Sequence, residues 1–161
     1  MKVYVASSFR NDYQQIVVKR LRETGFDVYD FKNPGHGKPF HWSDVDPNWR
    51  EWNHRQFARS LEHPIVEKGF TSDFNAMLEA DICVLVTPCG KSAHLEAGWM
   101  QGAGKPTIIL LTDGEPELMY KVFERIAHSL EEVVSFAKEI ENQRDNTTAN
   151  STIYQNSPQA Y

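Results

Sequence analysis

Apolar and polar positions alternate between two periods along this chain. "KVYVAS" (Lys2–Ser7) is a short Val/Tyr-rich strand, and "NDYQQIVVKRLRETG" follows with Tyr13, Ile16, Val17 and Leu21 near helical spacing and Gly25 as a stop. "FDVYDF" (Phe26–Phe31) is a second strand, so the opening unit fits a right-handed parallel crossover. A later series repeats the alternation. A short helix is predicted over Thr71–Asp81, with Thr71 or Ser72 as its cap. A strand follows over Ile82–Thr87, then a loop Pro88–Lys91, a helix Ser92–Ala103 and a strand Pro106–Thr112. "EPELMYKVFE" reads as a helix, "RIAHS" as a short last strand and "LEEVVSFAKEIE" as an amphipathic final helix.

Two stretches break the rhythm. From Lys32 to about Gly69 lie three of the four tryptophans. The first half reads as irregular loop, and "DPNWREWNHRQFARSLE" as a helix capped by Asp46 with Pro47 at its first position. Long loops inside compact domains are usually functional or make subunit contacts. From Asn142 onward the chain is polar and aperiodic, a flexible tail unless it docks, and its Asn-Thr-Thr and Asn-Ser-Thr triplets match glycosylation acceptors without other signs of secretion. The fold class this implies is α/β: a doubly wound, flavodoxin-like five-stranded parallel sheet with helices on both faces. Residues 1–142 form one domain with an insertion at about 32–69, and residues 143–161 form a C-terminal tail. In such sheets ligands bind beyond the carboxyl ends of the strands, where strand order reverses. The loops "SSFRN", "DFKNPGHG" and "PCGKSAH" should meet there.

Composition narrows the partners. The formal charge of −5 argues against a broad nucleic-acid surface. No run approaches the roughly 18 apolar residues of a spanning helix, the start "MKVYVASSF" is a strand rather than a signal peptide, and a cytoplasmic location is expected. Cys83 reads as core filler and Cys89 as a loop thiol, with no disulfide framework. Neither "GAGK" nor "HGKPFH" has the context of a phosphate loop or a metal motif. Gly98 and Gly102, four apart, read as close-approach points between helix and sheet, with Trp99 buried or at a subunit contact.

Two carboxylates carry the candidate chemistry. Glu96, in the early turns of the helix after "ICVLVTPCGKS", is either a charge that complements the helix dipole or a catalytic group. Backbone donors of the loop would keep it ionised, able to attack or to stabilise positive charge. Asp73 is either a first-turn residue or its partner across the crevice; two carboxylates in unlike environments can divide the roles of nucleophile and proton donor. His94, nearly opposite Glu96 on the helix, is not expected to pair with it. Trp42, Trp49 and Trp52 can stack a base or pack their helix, and His36 and His41 either touch substrate or sit on the surface.

The stretch "SDFNAMLEADICVLVTPCGKSAHLEAGWMQGAGKPTIILL", with the opening "ASSFR", resembles the nucleoside 2-deoxyribosyltransferase family and its nucleotide N-glycosidase relatives. The resemblance covers roughly Met1–Leu111, is weak between Lys32 and Gly69 and absent from the tail. It implies that Glu96 attacks C1′ of the sugar, that Asp73 helps the base leave and that Tyr13 assists. It implies that Ser7, Ser8, Arg10, Lys91 and Ser92 meet phosphate or sugar; His41 and Trp42 join these as substrate-binding candidates from the insertion. It implies no cofactor, no metal, a small-molecule nucleoside or nucleotide partner, and a homo-oligomer in which a neighbour completes the site, with the insertion and the final "QAY" as candidates to reach it. A nucleotide sensor without turnover and an NAD-glycohydrolase-like enzyme are the competing readings; a flavodoxin-like electron carrier lacks its hydroxyl-rich phosphate loop.

Overall fold

Alternation along each strand decides the two faces of the sheet. The computed structural model describes residues 1–35, 37–113 and 117–155, residues 148–155 by backbone alone. Strands β1 (Lys2–Ala6), β2 (Asp27–Tyr29), β3 (Ile82–Val86), β4 (Thr107–Leu110) and β5 (Arg125–Ala127) join in the order β2-β1-β3-β4-β5, every pairing parallel. This is the doubly wound, flavodoxin-like order. Val3, Val5, Ile82, Val84, Val86, Ile108 and Leu110 point to one face, against Val17, Val18 and Leu21 of α1 (Tyr13–Glu23) and Val133, Val134, Ala137 and Ile140 of α5 (Leu130–Gln155). Tyr4, Ala6, Cys83, Leu85 and Ile109 point to the other, against Met77 of α3 (Pro64–Glu79) and Ala93, Ala97 and Met100 of α4 (Lys91–Gly102). Strand order reverses between β1 and β3, so the loops after these strands border the crevice.

The insertion departs from its predicted shape. Instead of one helix capped by Asp46 there are 3-10 turns at Trp42–Asp44 and Trp49–Glu51, then α2 (His54–Ser60). Asn53 caps α2 in a reciprocal capping box with Gln56. The Asp46 carboxylate is engaged elsewhere, accepting from the Asn48 N–H at 2.8 Å and the Trp52 indole at 2.7 Å.

The predicted short helix over Thr71–Asp81 begins much earlier, at Pro64, with the His63 ring accepting from the Ile65 N–H. Gly69, the expected end of the insertion, sits inside α3. A Cβ there would lie 2.9 Å from the Phe40 ring, so the glycine seats Phe40 against the helix. Over 118–122 the chain makes a 3-10 turn, Leu118–Val122, in place of the longer helix that the apolar pattern predicts; residues 114–116 lie outside the described residues.

Two further expectations are corrected. Gly98 and Gly102 are exposed with open space at their would-be Cβ, because α4 packs through Ala93, Ala97 and Met100. The backbone of α5 continues to Gln155, beyond the expected boundary at 142. No Gly or Pro interrupts residues 130–155, and an exposed extension of an existing helix needs no apolar periodicity. Arg144 in this extension pairs with Asp81 at 2.7 Å. His36 and the final "QAY" lie outside the described residues.

Candidate active site

Two tyrosines floor the crevice. Tyr4, midway along β1, is 1% exposed, and its ring stacks on Tyr29 of β2 with centroids 5.5 Å apart. The Tyr29 hydroxyl donates to Asp73 Oδ1 at 2.7 Å and shares a hydrogen bond with Ser72 Oγ at 3.0 Å. Asp73 therefore stands mid-helix on α3, not in a first turn, and the strand below it fixes its carboxylate.

Glu96 reaches the same place from α4. Burial, then the nearby charge of Asp73, push its pKa up to about 7, while the Tyr4 hydroxyl acts in the opposite direction. Among the described residues that hydroxyl is buried with no hydrogen-bond partner of normal geometry. Burial, then Glu96 and Asp73, hold the Tyr4 phenol well above its usual range. Burial and Glu96 lift the Cys89 thiol to about 11 and raise buried Cys83 as well. The structure thus brings Asp73 and Glu96 into one electrostatic unit. It corrects the expectation that loop donors keep Glu96 firmly ionised: the carboxylate faces an apolar floor and a second carboxylate instead.

The remaining candidates divide. Ser7 Oγ donates to Val86 O at 2.8 Å, and the Asn11 side-chain amide donates to the carbonyls of Val86, Thr87 and Pro88, stitching the loop after β1 to the loop after β3. Ser8 Oγ accepts from the Arg10 N–H at 3.2 Å, and the Arg10 side chain is exposed. Lys91 and Ser92 are exposed in the first turn of α4, which no side chain caps. Tyr13 packs half-buried against the core of the opposite face, so it does not join Glu96. The tyrosine beside Glu96 is Tyr4.

Trp42 is half-buried among Phe40, Trp52 and Phe57, a packing role, and His41 lies exposed with its ring 4.9 Å from that of Phe9. His94 turns away from Glu96: its Nδ1 meets Gly90 O at 2.9 Å, so Nε2 is left to accept from the Tyr120 hydroxyl at 3.0 Å. Tyr4 and Tyr29 escaped sequence reasoning because a tyrosine in a strand looks like filler. The signal was a hydroxyl at a position buried on both sides.

A cavity of about 750 Å³ opens beside the pair, between α3 and the insertion loop. Tyr29, Ser72 and Asp73 line it; Glu96 does not. The two carboxylates therefore look onto different spaces, Asp73 onto the cavity and Glu96 onto the tyrosine floor. Among the described residues no group of three or more His, Cys, Asp or Glu side chains is arranged to hold a metal ion, and no helix is long and apolar enough to cross a membrane.

No family model matches the chain, and no curated protein matches it in sequence. Among solved structures, a 2-deoxyribosyltransferase from the psychrotolerant bacterium Bacillus psychrosaccharolyticus is similar with a TM-score of 0.53 at 18% identity, over 83% of this chain and 90% of that one. The CMP N-glycosidase BcmB of Clostridium botulinum aligns with a TM-score of 0.45 at 16% identity, over 86% of this chain and 99% of that one. At such identity the first likeness establishes a shared fold.

Proposed function

We propose that this protein is an enzyme that cleaves or exchanges the N-glycosidic bond of a (deoxy)nucleoside or nucleoside monophosphate. The observation that carries the reading is the coupled pair Asp73–Glu96 over the Tyr4–Tyr29 floor. The similarity of fold to a 2-deoxyribosyltransferase supports it. Asp73 takes up a proton as the substrate binds, and Glu96 attacks C1′: the C1′–N bond breaks, an ester bond forms between C1′ and the Glu96 carboxylate, and that proton passes from Asp73 to a ring nitrogen of the departing base. A second base or water then displaces Glu96 and returns a proton to Asp73. Positive charge developing on the sugar favours ionised Glu96, which offsets the burial and like-charge effects that hold its pKa near 7 in the free protein.

The test is chromatography of nucleosides, deoxynucleosides, their monophosphates and NAD after incubation, with and without a second free base, beside Glu96→Gln. Native protein should release base, and the variant should lose at least about 10³-fold in rate. A new nucleoside in the base-supplemented tubes makes the enzyme a transferase, and nicotinamide release marks the NAD-cleaving alternative. No turnover with any substrate would end the proposal in favour of a nucleotide sensor. For a nucleophilic Glu96, kcat/KM should climb with pH through about 7; a fall over that range would make Glu96 the proton donor instead.

The enzyme acts as a homo-oligomer in this reading. Phe70 on α3 and Leu95 on α4 are 59% and 73% exposed beside the Phe74–Trp99 contact. A concentration-independent monomer in sedimentation would refute this.

A further inference from the structure

An aspartate on a helix can turn about two side-chain bonds, so its partners decide where the carboxyl points. For Asp73 one such partner is Tyr29, which comes from the sheet and not from α3. The Tyr29 hydroxyl donates to Asp73 Oδ1 at 2.7 Å. Its single proton is used there, so Ser72 Oγ, 3.0 Å away, is the donor in the second bond. The hydroxyl stands in a short chain that runs from Ser72 through Tyr29 to the carboxylate.

Three features make this donor firm. The Tyr29 ring lies on that of Tyr4 with the two planes 13° apart. The parallel register sets Tyr4 beside Tyr29, so the sheet itself carries the stack. Burial holds the Tyr29 phenol above its usual range, which keeps the hydroxyl neutral and able to donate wherever the enzyme would work. A fixed donor on a carboxylate has two separable consequences. It holds the group in one direction, and it favours the ionised form, which opposes the proton that Asp73 must take up in the proposed reaction.

We infer that Tyr29 is a positioning residue that aims the Asp73 carboxyl at the departing base and holds it ionised until the substrate is seated. The aiming rests on the glycosidase reading; the hold on the charge belongs to the free protein as well. Other groups act on Asp73: Glu96 from α4, Tyr4 from β1 and, around the cavity, Lys38 and Asp44 from the insertion with Lys68 and Glu79 from α3. Tyr29→Phe leaves all of them in place and keeps a ring on Tyr4, so its effects belong to the hydroxyl.

The test has two arms, both on Tyr29→Phe. In the first, carbon NMR of protein labelled at the aspartate carboxyls follows Asp73 against pH, its resonance identified by its loss in Asp73→Asn. Asp73 should keep its proton to a pH about one unit higher in Tyr29→Phe than in native protein. An unchanged or lower midpoint would overturn the inference. In the second, the nucleosides that native protein cleaves are compared by rate. The kcat should fall at least about tenfold with KM changed by less than about twofold, and the alkaline limb of kcat should move to higher pH. A loss confined to KM, an unchanged kcat, or a lower kcat with an unmoved alkaline limb (the mark of a merely structural role) would each overturn it. If native protein releases no base, the glycosidase reading falls, and the first arm still decides whether Tyr29 holds Asp73 ionised.

Discussion

Asp30 and Glu96 are two buried or nearly buried carboxylates at opposite sides of the same sheet, and they are treated in opposite ways. Asp30, at the end of β2 beside α1, is 1% exposed and accepts from the side-chain amides of Gln14, Gln15 and Asn33 and from the Lys32 N–H. Burial opposes its charge, but these donors outweigh it and its pKa lies below the usual value. Glu96 has the burial with only the Tyr4 hydroxyl acting against it, and a second carboxylate besides, so its pKa rises to about 7. A satisfied carboxylate fastens a loop. A starved one holds free energy that a positive charge developing beside it can release.

The largest test of this contrast is Asp30→Ala, which leaves several donors unpaired around β2. It should cost about 3 kcal/mol, lowering the melting temperature by roughly 10 °C. Less than about 1 kcal/mol would mean that the network is ornamental.

The second test uses pH, and the signs oppose. The Glu96 pKa is raised above its ordinary 4.5 to about 7, so the unfolded chain gives up that proton first as pH rises. Its contribution to stability is full below about 4.5, falls as pH climbs to about 7, and costs roughly 3 kcal/mol beyond that point. Glu96→Gln should therefore melt near the native protein at pH 4 and well above it at pH 8. The Asp30 pKa is lowered, so its contribution is present above 3.8 and is lost as pH falls through the folded value; Asp30→Asn should lose its disadvantage in acid. A Glu96→Gln difference flat across pH would show that Glu96 is not starved of donors in solution.

Tyr4→Phe comes next. It deletes a buried hydroxyl that lacks a partner among the described residues, so the free protein should gain about 1 kcal/mol. Because that hydroxyl acts to lower the Glu96 pKa, the midpoint of kcat/KM against pH should move above 7 in the same variant. A stability loss would show that Tyr4 does close a hydrogen bond in solution. The smallest effect belongs to neither carboxylate: Gly98→Ala, at an exposed helical position with open space, should stabilise by roughly 0.5–1 kcal/mol by thermal unfolding.

The sheet was legible because Val3, Val5, Val84 and Ile108 belong to apolar runs that few other arrangements can bury. The pairing of Asp73 with Glu96 was one of two open readings of the residues, since positions 23 apart have no spacing that predicts a contact, and the family resemblance tipped the choice. What sequence hid has particular causes. Nothing beside Gly69 in the sequence tells that its missing side chain serves Phe40, a partner 29 residues away. Tyr13 and Tyr4 are equally plausible aromatics until the sheet exists, because the face each one takes depends on which helix covers it. Asp46 resembles a helix cap, yet the indole of Trp52 competes for its oxygen. Nothing in the letters near Lys38 and Lys68 says that they line one cavity, because a loop and a helix from different parts of the chain enclose it.

The placement of the tryptophans has a spectroscopic consequence. Trp42, Trp49 and Trp52 sit in the insertion, whereas Trp99 lies on α4 three residues past Glu96, its ring 4.9 Å from that of Phe74, the neighbour of Asp73. Intrinsic fluorescence therefore comes from two separate stations, one on the insertion and one beside the carboxylate pair. Removing Trp99 leaves a signal that reports the insertion alone, and the difference spectrum isolates the emission of a single indole at the crevice, readable without any attached dye.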